Sequence, residues 1–456
     1  MSQRNDNAAS RLLAEHVANL RFETLQPEVV HAFKRVLLDY LTCAVTGSQM
    51  PVSRTLRTYL AEIDATSQAC VIGTAMRLSP PNAAFANGAS THGLDFDDGY
   101  TAGSAHPAGP TFPAVLALAE ARGANARSIV TAVVLAYDVM LRIAAALHPV
   151  SARRGFHNTP VAGIFGAAAG SASLLGLDSR HTLDALGLAG SFAGGLREYL
   201  DEGAEIKRIH PGKAARDGVI CAELAKRGLS GPSRILEGRH GLFRAFADSS
   251  VNWDRLLDGL GSKFAITDAY FKPYPCCRHF HAAIDGIMQL KAQHAVDPAA
   301  IERVDIGMYE VGYTGHEHSH CDNLLDAQMS APVACALALI CPDLTMQSFG
   351  AEQFERPDFK ALIGKMHPYV DSECERIYPG RRSGMVSIHL KSGADLRARV
   401  LDPRGEGENP LSDAELERKF VANCEPVIGD ARCRRLVAAV WNFEELSGLA
   451  EFYRWS

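Results

Sequence analysis

PVAGIFGAAAGSASLL, residues 160–175, consists largely of Ala, Gly and Ser. Because few of its side chains are bulky, neighbouring helices can approach such a segment closely. Elsewhere apolar residues recur at three- and four-residue steps, for example in 36–45, 112–121 and 128–146. The pattern predicts a mainly α protein, with a multi-helix bundle over residues 1–265 and residues 160–175 near its centre.

The pattern changes after about residue 265. Alternating apolar residues predict a half-buried strand at 303–311 and a β-hairpin over 386–400, with an apolar helix between them at 329–340. These elements indicate a smaller α+β domain at 266–405. A capping box at 412–415 then opens a last helical segment that runs toward the C-terminus.

Composition and charge exclude several classes of protein. The 456 residues are 47% hydrophobic and 21% charged, as in ordinary globular chains. The net charge of −6 provides no basic surplus, so we expect neither nucleic acid nor a membrane surface as a partner. Residues 128–148 approach membrane-spanning length, but Asp138 and Arg142 form a same-face pair that favours a buried core helix. Eleven scattered cysteines and a polar N-terminus without a signal pattern indicate a cytoplasmic protein with reduced thiols.

The first candidate cluster lies at 82–106, where Asp95, Asp97 and Asp98 fall within four residues and histidines flank them, His106 on the C-terminal side. Clustered carboxylates can bind a hard cation, although the spacing does not match an EF-hand loop. The alternative is a helix end with solvated carboxylates. Composition leaves both interpretations open.

A second cluster is RRGFHNT at 153–159, just before the small-residue helix. The positive end of a helix dipole lowers the pKa of an imidazole, so His157 could exchange a proton at neutral pH. The alternative is a histidine that only caps or packs. In the third cluster, EIKRIHPGKAARD at 205–217, Lys207 and His210 are candidate ligands for a small polycarboxylate or phosphate. The alternative here is a solvated helix start.

The fourth cluster is FKPYPCCRHFH at 271–281, where two prolines rigidify a loop. Lys272, Arg278 and His281 are further candidate substrate-binding residues. The adjacent cysteines lack the two-residue gap of zinc or redox motifs, so we predict no metal there. HEHSH at 316–320 formally matches H-E-x-x-H, but it follows a predicted strand, and we interpret it as a solvated polar loop rather than a zinc helix.

Other catalytic signatures are absent from the sequence: we find no G-x-S-x-G, no phosphate-binding G-K-[ST] and no strand-borne G-x-G-x-x-G. What remains is an anion-binding cleft with His, Asp and Lys and no evident cofactor. Such groups suit proton abstraction beside a carboxylate. Dehydration, decarboxylation and epimerisation share a carbanion-like state, and composition does not choose among them.

The chain resembles the MmgE/PrpD family in motifs that run in the family's order over nearly its whole length. They include LLDYLTCAVTG (37–47), NGASTHGLDFDDG (87–99), GFHNTPVAGIFGAAAG (155–170), KRIHPGKAARDG (207–218) and KPYPCCRHFHAAID (272–285). The resemblance implies a large all-helical domain (1–265 and 406–456) and a smaller α+β lid domain (266–405) inserted before the C-terminal helical tail. It also implies a homodimer that acts on small di- or tricarboxylates without a metal or organic cofactor, like 2-methylcitrate dehydratases, cis-aconitate decarboxylases and iminodisuccinate epimerases.

By position, the family's functional residues correspond to Asp95, His106, His157, Lys207 and Lys272. Our hypothesis is that His106 and His157 are the acid/base pair, Asp95 orients one of them, and the two lysines hold substrate carboxylates.

Two departures bear on the type of reaction. Decarboxylase-like members tend to have Thr where this chain has Gly99, and His where this chain has Cys277. Both departures disfavour decarboxylation. We therefore expect a cofactor-independent hydro-lyase on a 2-methylcitrate-like tricarboxylate. The alternatives are an epimerase of an iminodisuccinate-like dicarboxylate, a cis-aconitate decarboxylase-like lyase and, last, a non-catalytic carboxylate binder.

Overall fold

The computed structural model describes residues 8–455, and helices dominate this range. We call residues 8–265 and 406–455 the body and residues 266–405 the lid, after the predicted domains, whose boundaries stay a prediction. The α-helices of the body are Ala9–Asn19, Pro27–Gly47, Pro51–Ile63, Pro80–His92, Ala108–Arg122, Ala126–Leu147, Val150–Arg153, Asn158–Leu174, Ser179–Phe192, Tyr199–Glu202, Ile206–Lys226, Leu242–Ala247, Trp253–Leu257, Asp413–Ile428, Asp430–Trp441 and Ala450–Tyr453. Those of the lid are His281–Gln293, Glu310–Tyr313, Leu324–Met329, Ala331–Ile340, Ala351–Phe354, Pro357–Ile363 and Ser372–Ile377.

The small-residue stretch forms the helix Asn158–Leu174, which we call the central helix. It packs against Ala126–Leu147, Ile206–Lys226 and Ala108–Arg122, as its lack of bulk predicts. A Cβ placed on Gly166 would lie only 2.6 Å from the carbonyl oxygen of Ala136. The neighbouring helix therefore approaches at a distance that only glycine permits.

The long apolar helix Ala126–Leu147 is the one described helix that is long and apolar enough to cross a membrane, and its apolar window is wholly buried in the protein. Arg142 Nε lies 2.9 Å from Asp138 Oδ1, which is the predicted same-face pair. Asp138 also receives a hydrogen bond from His16, 3.1 Å away. The predicted core helix is confirmed, and its charges are satisfied inside the fold.

Four strands form the mixed sheet of the lid: β3 (Ile301–Met308), β4 (Met366–Val370), β5 (Gly384–Leu390) and β6 (Asp395–Val400). Their order is β4-β3-β5-β6. β3 runs parallel to β4 and antiparallel to β5, which forms a hairpin with β6. The helices His281–Gln293 and Ala331–Ile340 cover this sheet and bury a core separate from that of the body. The predicted mainly α fold with a smaller α+β part is confirmed.

Three details differ from the sequence prediction. β4 has no apolar alternation and contains Pro368, so its pairing at the sheet edge left no pattern in the sequence. Two-residue strands, β1 (Ala69–Cys70) and β2 (Arg77–Leu78), form a small ribbon within the body. The predicted helix at 329–340 is interrupted at Ser330, whose side chain caps the helix that follows it.

The C-terminal tail returns to the body. The capping box at Ser412 and Glu415 is present and opens the helix Asp413–Ile428, which packs against Pro27–Gly47. Phe420 and Leu436 of the tail are fully buried in the body core. All eleven cysteines are free. The lid thus leaves and rejoins the body, and a cavity opens between the two.

Candidate active site

The cavity between body and lid brings together residues from all four sequence clusters. The body contributes Asp95, His106, His157 and Lys207 to its lining. The polar groups that the lid contributes are Cys277, Arg278, His279, His316 and Arg382. Lys272, His210 and His281, three of the predicted site residues, lie behind this lining and contact residues that form it.

Asp95 is the link between the two predicted lysines. Its Oδ1 forms an ion pair with Lys207 and lies 3.3 Å from Lys272 Nζ, and its carbonyl oxygen accepts a 2.8 Å hydrogen bond from Lys272. Burial alone would raise the pKa of Asp95, but the two ammonium charges hold it well below its usual range. The φ of Asp95 is 52°, in the left-handed region that non-glycine residues rarely adopt. These contacts hold the strained residue in place.

Asp97 and Asp98 turn away from Asp95 to other partners. Asp97 accepts hydrogen bonds from His92 Nδ1 at 2.9 and 3.0 Å. Asp98 accepts from the Tyr137 hydroxyl at 2.9 Å and from a backbone N–H. All three carboxylates are buried, and burial raises the pKa of Asp97 and of Asp98. The solvated interpretation of this cluster is therefore wrong, and its carboxylates do not converge on one point as ligands of a hard cation would.

His106 has a defined tautomer. Its Nδ1–H donates a 2.8 Å hydrogen bond to the carbonyl oxygen of Asp98, which can only accept. The lone pair therefore lies on Nε2. Burial, helped by the charge of Lys272, lowers the pKa of His106 to about 3. At neutral pH this imidazole is an uncharged proton acceptor.

His157 is the N-cap residue of the central helix, close to the predicted position. Its Nδ1 lies 3.0 Å from Nδ1 of His210, so one of the two nitrogens donates to the other. Burial lowers the pKa of His157 well below its usual range, and burial and Lys207 lower that of His210 to about 4. Both rings are neutral at pH 7. The position of His210 makes it a partner of His157 rather than part of the cavity lining.

The two lysines occupy different positions. Lys207, in the first turn of Ile206–Lys226, reaches the cavity, and burial lowers its pKa. Lys272 has no exposed surface. Burial would lower the pKa of Lys272, but Asp95 and Asp97 outweigh it and raise the pKa. Lys207 can therefore contact a ligand directly, whereas Lys272 holds Asp95.

Arg278 and His281 form a similar pair in the lid. Arg278 lines the cavity, and its Nη2 lies 3.2 Å from Glu406 Oε1. The guanidinium also packs over the ring of Tyr270 at 4.5 Å. His281 accepts a 3.0 Å hydrogen bond from Arg278 through Nδ1, which leaves Nε2 facing the Cys276 carbonyl oxygen at 3.2 Å. His281 thus fixes the arginine and lies outside the lining.

Arg382 is a site residue that the sequence analysis missed. It is 3% exposed, and within the described residues it has no carboxylate partner. Its two hydrogen bonds, to the Tyr270 hydroxyl and the Thr101 carbonyl oxygen, are both long at 3.4 Å. A buried guanidinium with so few partners is costly unless an anion joins it. The spacing in the sequence could have indicated its burial: Arg382 lies an even number of residues before Val386 and Ile388, which are on the buried face of β5.

His316 is a second residue whose environment differs from the prediction. HEHSH does lie outside a helix, as expected, but His316 is 1% exposed and lines the cavity. The interpretation of a solvated loop is wrong for this residue. The helix Leu324–Met329 explains the difference, because the Met329 carbonyl oxygen accepts a 2.7 Å hydrogen bond from His316 Nδ1.

Neutral histidines on a helical body thus face buried cations across a cavity that a small α+β lid covers. Such an arrangement can bind an anion and exchange a proton with it.

The chain belongs to the MmgE/PrpD family. Residues 11–254 match the MmgE/PrpD N-terminal domain and residues 274–444 match the MmgE/PrpD C-terminal domain. It is 28% identical to the cis-aconitate decarboxylase of Homo sapiens, over 95% of this chain and 91% of that protein. It is 26% identical to the cis-aconitate decarboxylase-like protein oryM of Aspergillus oryzae, over 96% and 95%. The predicted family is confirmed, and the protein is a lyase of the MmgE/PrpD type.

Proposed function

We propose that the protein is a cofactor-independent hydro-lyase that dehydrates a small tricarboxylate of the 2-methylcitrate type. One observation carries this proposal: His106 is neutral, and its lone pair on Nε2 lies at the cavity. A neutral base suits a reaction that begins by removing a proton next to a carboxylate.

The two histidines take different roles in this reaction. His106 Nε2 accepts the proton from carbon, and a C=C bond forms as the C–O bond breaks. We assign the role of acid to His157: the carboxylates of a bound substrate raise the pKa of imidazoles beside them, and His157 takes up a proton in the complex while His106 keeps its free lone pair. The Nδ1–H of His157 then donates to His210, and its Nε2–H protonates the departing hydroxyl, which leaves as water.

The cations of the cavity hold the substrate. Lys207 from the body and Arg382 from the lid both reach the cavity and are the proposed carboxylate partners. Asp95 offsets part of the Lys207 charge. Among the described residues Arg382 forms no ion pair with a carboxylate, and Glu406, the acid whose charge acts on it, is paired with Arg278. The charges of Lys207 and Arg382 stabilise the carbanion-like state beside the carboxylate.

Decarboxylation is the second candidate, because the curated relatives above are named cis-aconitate decarboxylases. That reaction begins with loss of CO₂ and ends with proton donation to carbon, a step that a protonated His157 can also perform, so the acid/base pair alone does not choose between the two reactions. Gly99 and Cys277, however, depart from the residues of decarboxylase-like members. We therefore place dehydration first.

The test is NMR in D₂O with purified enzyme and 2-methylcitrate, citrate, cis-aconitate and iminodisuccinate in separate tubes. An unsaturated product without CO₂ supports dehydration and identifies the substrate: its signal is a methyl group on a C=C bond if 2-methylcitrate reacts and a vinylic proton if citrate reacts. Release of CO₂ from cis-aconitate would replace the proposal by decarboxylation. Deuterium in recovered substrate without elimination would replace it by epimerisation. No reaction with any of the four would contradict the proposed substrate class. The exposed variant His320→Ala is the matched control and should react as wild type does.

We further propose that the protein works as a cytoplasmic homodimer whose helical bodies form the interface. Light scattering at micromolar concentration should give twice the chain mass of 49.1 kDa. A monomer would contradict the proposed dimer.

A further inference from the structure

Arg197 is a second cation of the cavity lining that has no acidic partner. It lies on the body, between the helices Ser179–Phe192 and Tyr199–Glu202. Among the described residues it forms no ion pair, and its hydrogen bond to the Ala152 carbonyl oxygen is long at 3.5 Å. Like Arg382, it therefore has a positive charge that a bound anion can neutralise.

A short backbone pairing places Arg197 beside His157. The Arg197 N–H donates to the Gly155 carbonyl oxygen at 2.9 Å, and the His157 N–H donates to the Gly195 carbonyl oxygen at 3.0 Å. An antiparallel bridge at Leu196 lies between these two bonds. Because side chains alternate in such a pairing, Arg197 and His157 share the side that lines the cavity, whereas Leu196 is 59% exposed.

Arg197 and Arg382 lie at the same end of the cavity. Burial lowers the pKa of His279 and of His148 well below the usual range, and the charges of Arg382 and Arg197 lower both further. Such effects weaken with distance, so the two guanidinium groups are close to the same pair of rings. Arg197 comes from the body and Arg382 from the lid. An anion bound between the two like charges would remove their repulsion.

His279 supplies a neutral donor at this end of the cavity. Its Nδ1 lies 2.6 Å from the Tyr309 hydroxyl, which has no other hydrogen-bond partner within the described part of the chain. The hydroxyl therefore donates its proton to Nδ1, and the neutral imidazole carries its own proton on Nε2. Stacking on Tyr378, with the ring centroids 4.1 Å apart, holds the Tyr309 ring in place. Since His279 lines the cavity, its Nε2–H is available to a ligand.

The other two cations of the lining already have acidic partners. Lys207 pairs with Asp95, and Arg278 Nη2 lies 3.2 Å from Glu406 Oε1. Each of these pairs is nearly neutral. The excess positive charge of the lining therefore lies with the two unpaired arginines, where a carboxylate is stabilised most.

We propose that Arg197, Arg382 and His279 form one subsite that binds a single carboxylate of the substrate, in addition to the carboxylate held by Lys207. The planar guanidinium groups match the two oxygens of a carboxylate, one from each face of the cavity. The proposal rests on the proposed function for its ligand class, a small tricarboxylate, but assigns no step of the reaction to these residues. It makes Arg197 a residue that determines substrate specificity.

Isothermal titration calorimetry with tricarballylate tests the subsite apart from the reaction, because this tricarboxylate has no hydroxyl to eliminate. We expect Arg197→Gln to weaken binding by about 10- to 100-fold, as the loss of a charged hydrogen bond does. Arg197→Lys keeps the charge without the fork and should weaken binding less. His279→Phe removes a neutral donor and should cost about 2- to 10-fold. Wild-type affinity in Arg197→Gln would overturn the subsite, and wild-type affinity in His279→Phe would remove His279 from it.

The matched control is Arg154→Gln. Arg154 also has no acidic partner within the described residues, but it is exposed and lies outside the cavity lining. The control should bind tricarballylate as wild type does, and a loss equal to that of Arg197→Gln would mean that general charge, rather than the subsite, determines binding. Circular dichroism and the melting temperature check that each variant is folded.

The double variant Arg197→Gln/Arg382→Gln tests whether the two arginines share one carboxylate. Groups that bind the same anion are coupled, so the combined loss should differ from the product of the two single losses by about threefold or more. A combined loss equal to that product would overturn the shared carboxylate. Failure of these variants alone leaves the proposed function intact, whereas a wild-type protein that does not bind tricarballylate would overturn the ligand class as well.

Discussion

The body and lid faces of the cavity satisfy their ionisable groups differently. On the body face, Asp95 lies between Lys207 and the lid's Lys272, and His106 and His157 each have a hydrogen-bond partner within 3.0 Å. On the lid face, Arg382 has only two long hydrogen bonds. The body face is thus organised before a ligand arrives, whereas the lid face has a cation whose best partner is the ligand. The body face thus carries the proposed acid/base groups, and the lid face contributes part of the free energy of substrate binding.

The largest effect on catalysis should come from the body face. His106→Gln keeps a side chain that can donate to the Asp98 carbonyl oxygen but removes the base. We expect kcat/KM to fall by about 10²- to 10⁴-fold, the usual contribution of a general base. Steady-state kinetics on the substrate identified by NMR measures it, with the exposed His240→Gln as control. A loss below tenfold would mean that His106 is not the base.

Asp95→Asn should produce the largest loss of stability. It leaves Lys207 and Lys272 buried without their shared counter-charge, so the free energy of unfolding at pH 7 should fall by about 3–5 kcal/mol. Because the folded pKa of Asp95 is lowered, its contribution is complete above the unfolded pKa of about 4 and declines as the pH falls further. The difference in the free energy of unfolding between wild type and variant should therefore become smaller at acid pH.

Urea unfolding at several pH values measures this difference. The matched control is Asp258→Asn, which breaks an exposed ion pair with Lys263 and should cost less than about 1 kcal/mol. Equal stability of the two variants would contradict the role assigned to Asp95.

Arg382→Gln should instead weaken binding and leave the fold intact. Loss of a charged hydrogen bond to a substrate carboxylate should remove about 1.5–3 kcal/mol of transition-state stabilisation. This loss lowers kcat/KM, chiefly because KM rises. Arg381→Gln, next in the chain but half-exposed and paired with Asp402, is the control. If both variants keep the wild-type KM, Arg382 does not hold the substrate.

The smallest expected effect is the difference in KM between variants of Lys207 and of Lys272. Lys207→Met should raise KM by about tenfold, or ~1.4 kcal/mol, because Lys207 reaches the cavity. Lys272→Met should lower the melting temperature and change KM less, because Lys272 is fully buried against Asp95. Measured KM and Tm values separate the two roles. Wild-type kinetics in both variants would remove the lysines from the account of binding.

The sequence predicted the helical body and the lid elements best where a regular pattern repeats. The small residues around Gly166 predicted a closely packed helix, and the alternating apolar residues of β5 predicted a strand. Both patterns follow from the backbone geometry of a single element. β4 was missed because a short edge strand with a proline leaves no such pattern. The motif residues Asp95, His106, His157 and Lys207 do meet at one cavity.

Partners from distant parts of the chain could not be predicted. The burial of His316 depends on Met329, and Lys272 differs from Lys207 only because the lid loop brings it behind Asp95. Arg382 follows an exposed arginine, and only the packing of the lid on the body distinguishes the two. Such environments arise from tertiary contacts, which neither composition nor periodicity encodes.

The most direct test of the central claim, that His106 and His157 are neutral in the free enzyme, is a long-range ¹H–¹⁵N NMR titration from pH 5 to 8. His106→Gln and His157→Gln assign the two rings. We predict that both keep the shifts of neutral imidazole across this range, with His106 protonated on Nδ1. Titration of His106 near its ordinary pKa of about 6.5 would contradict the account, because the proposed base would then be charged over much of that range.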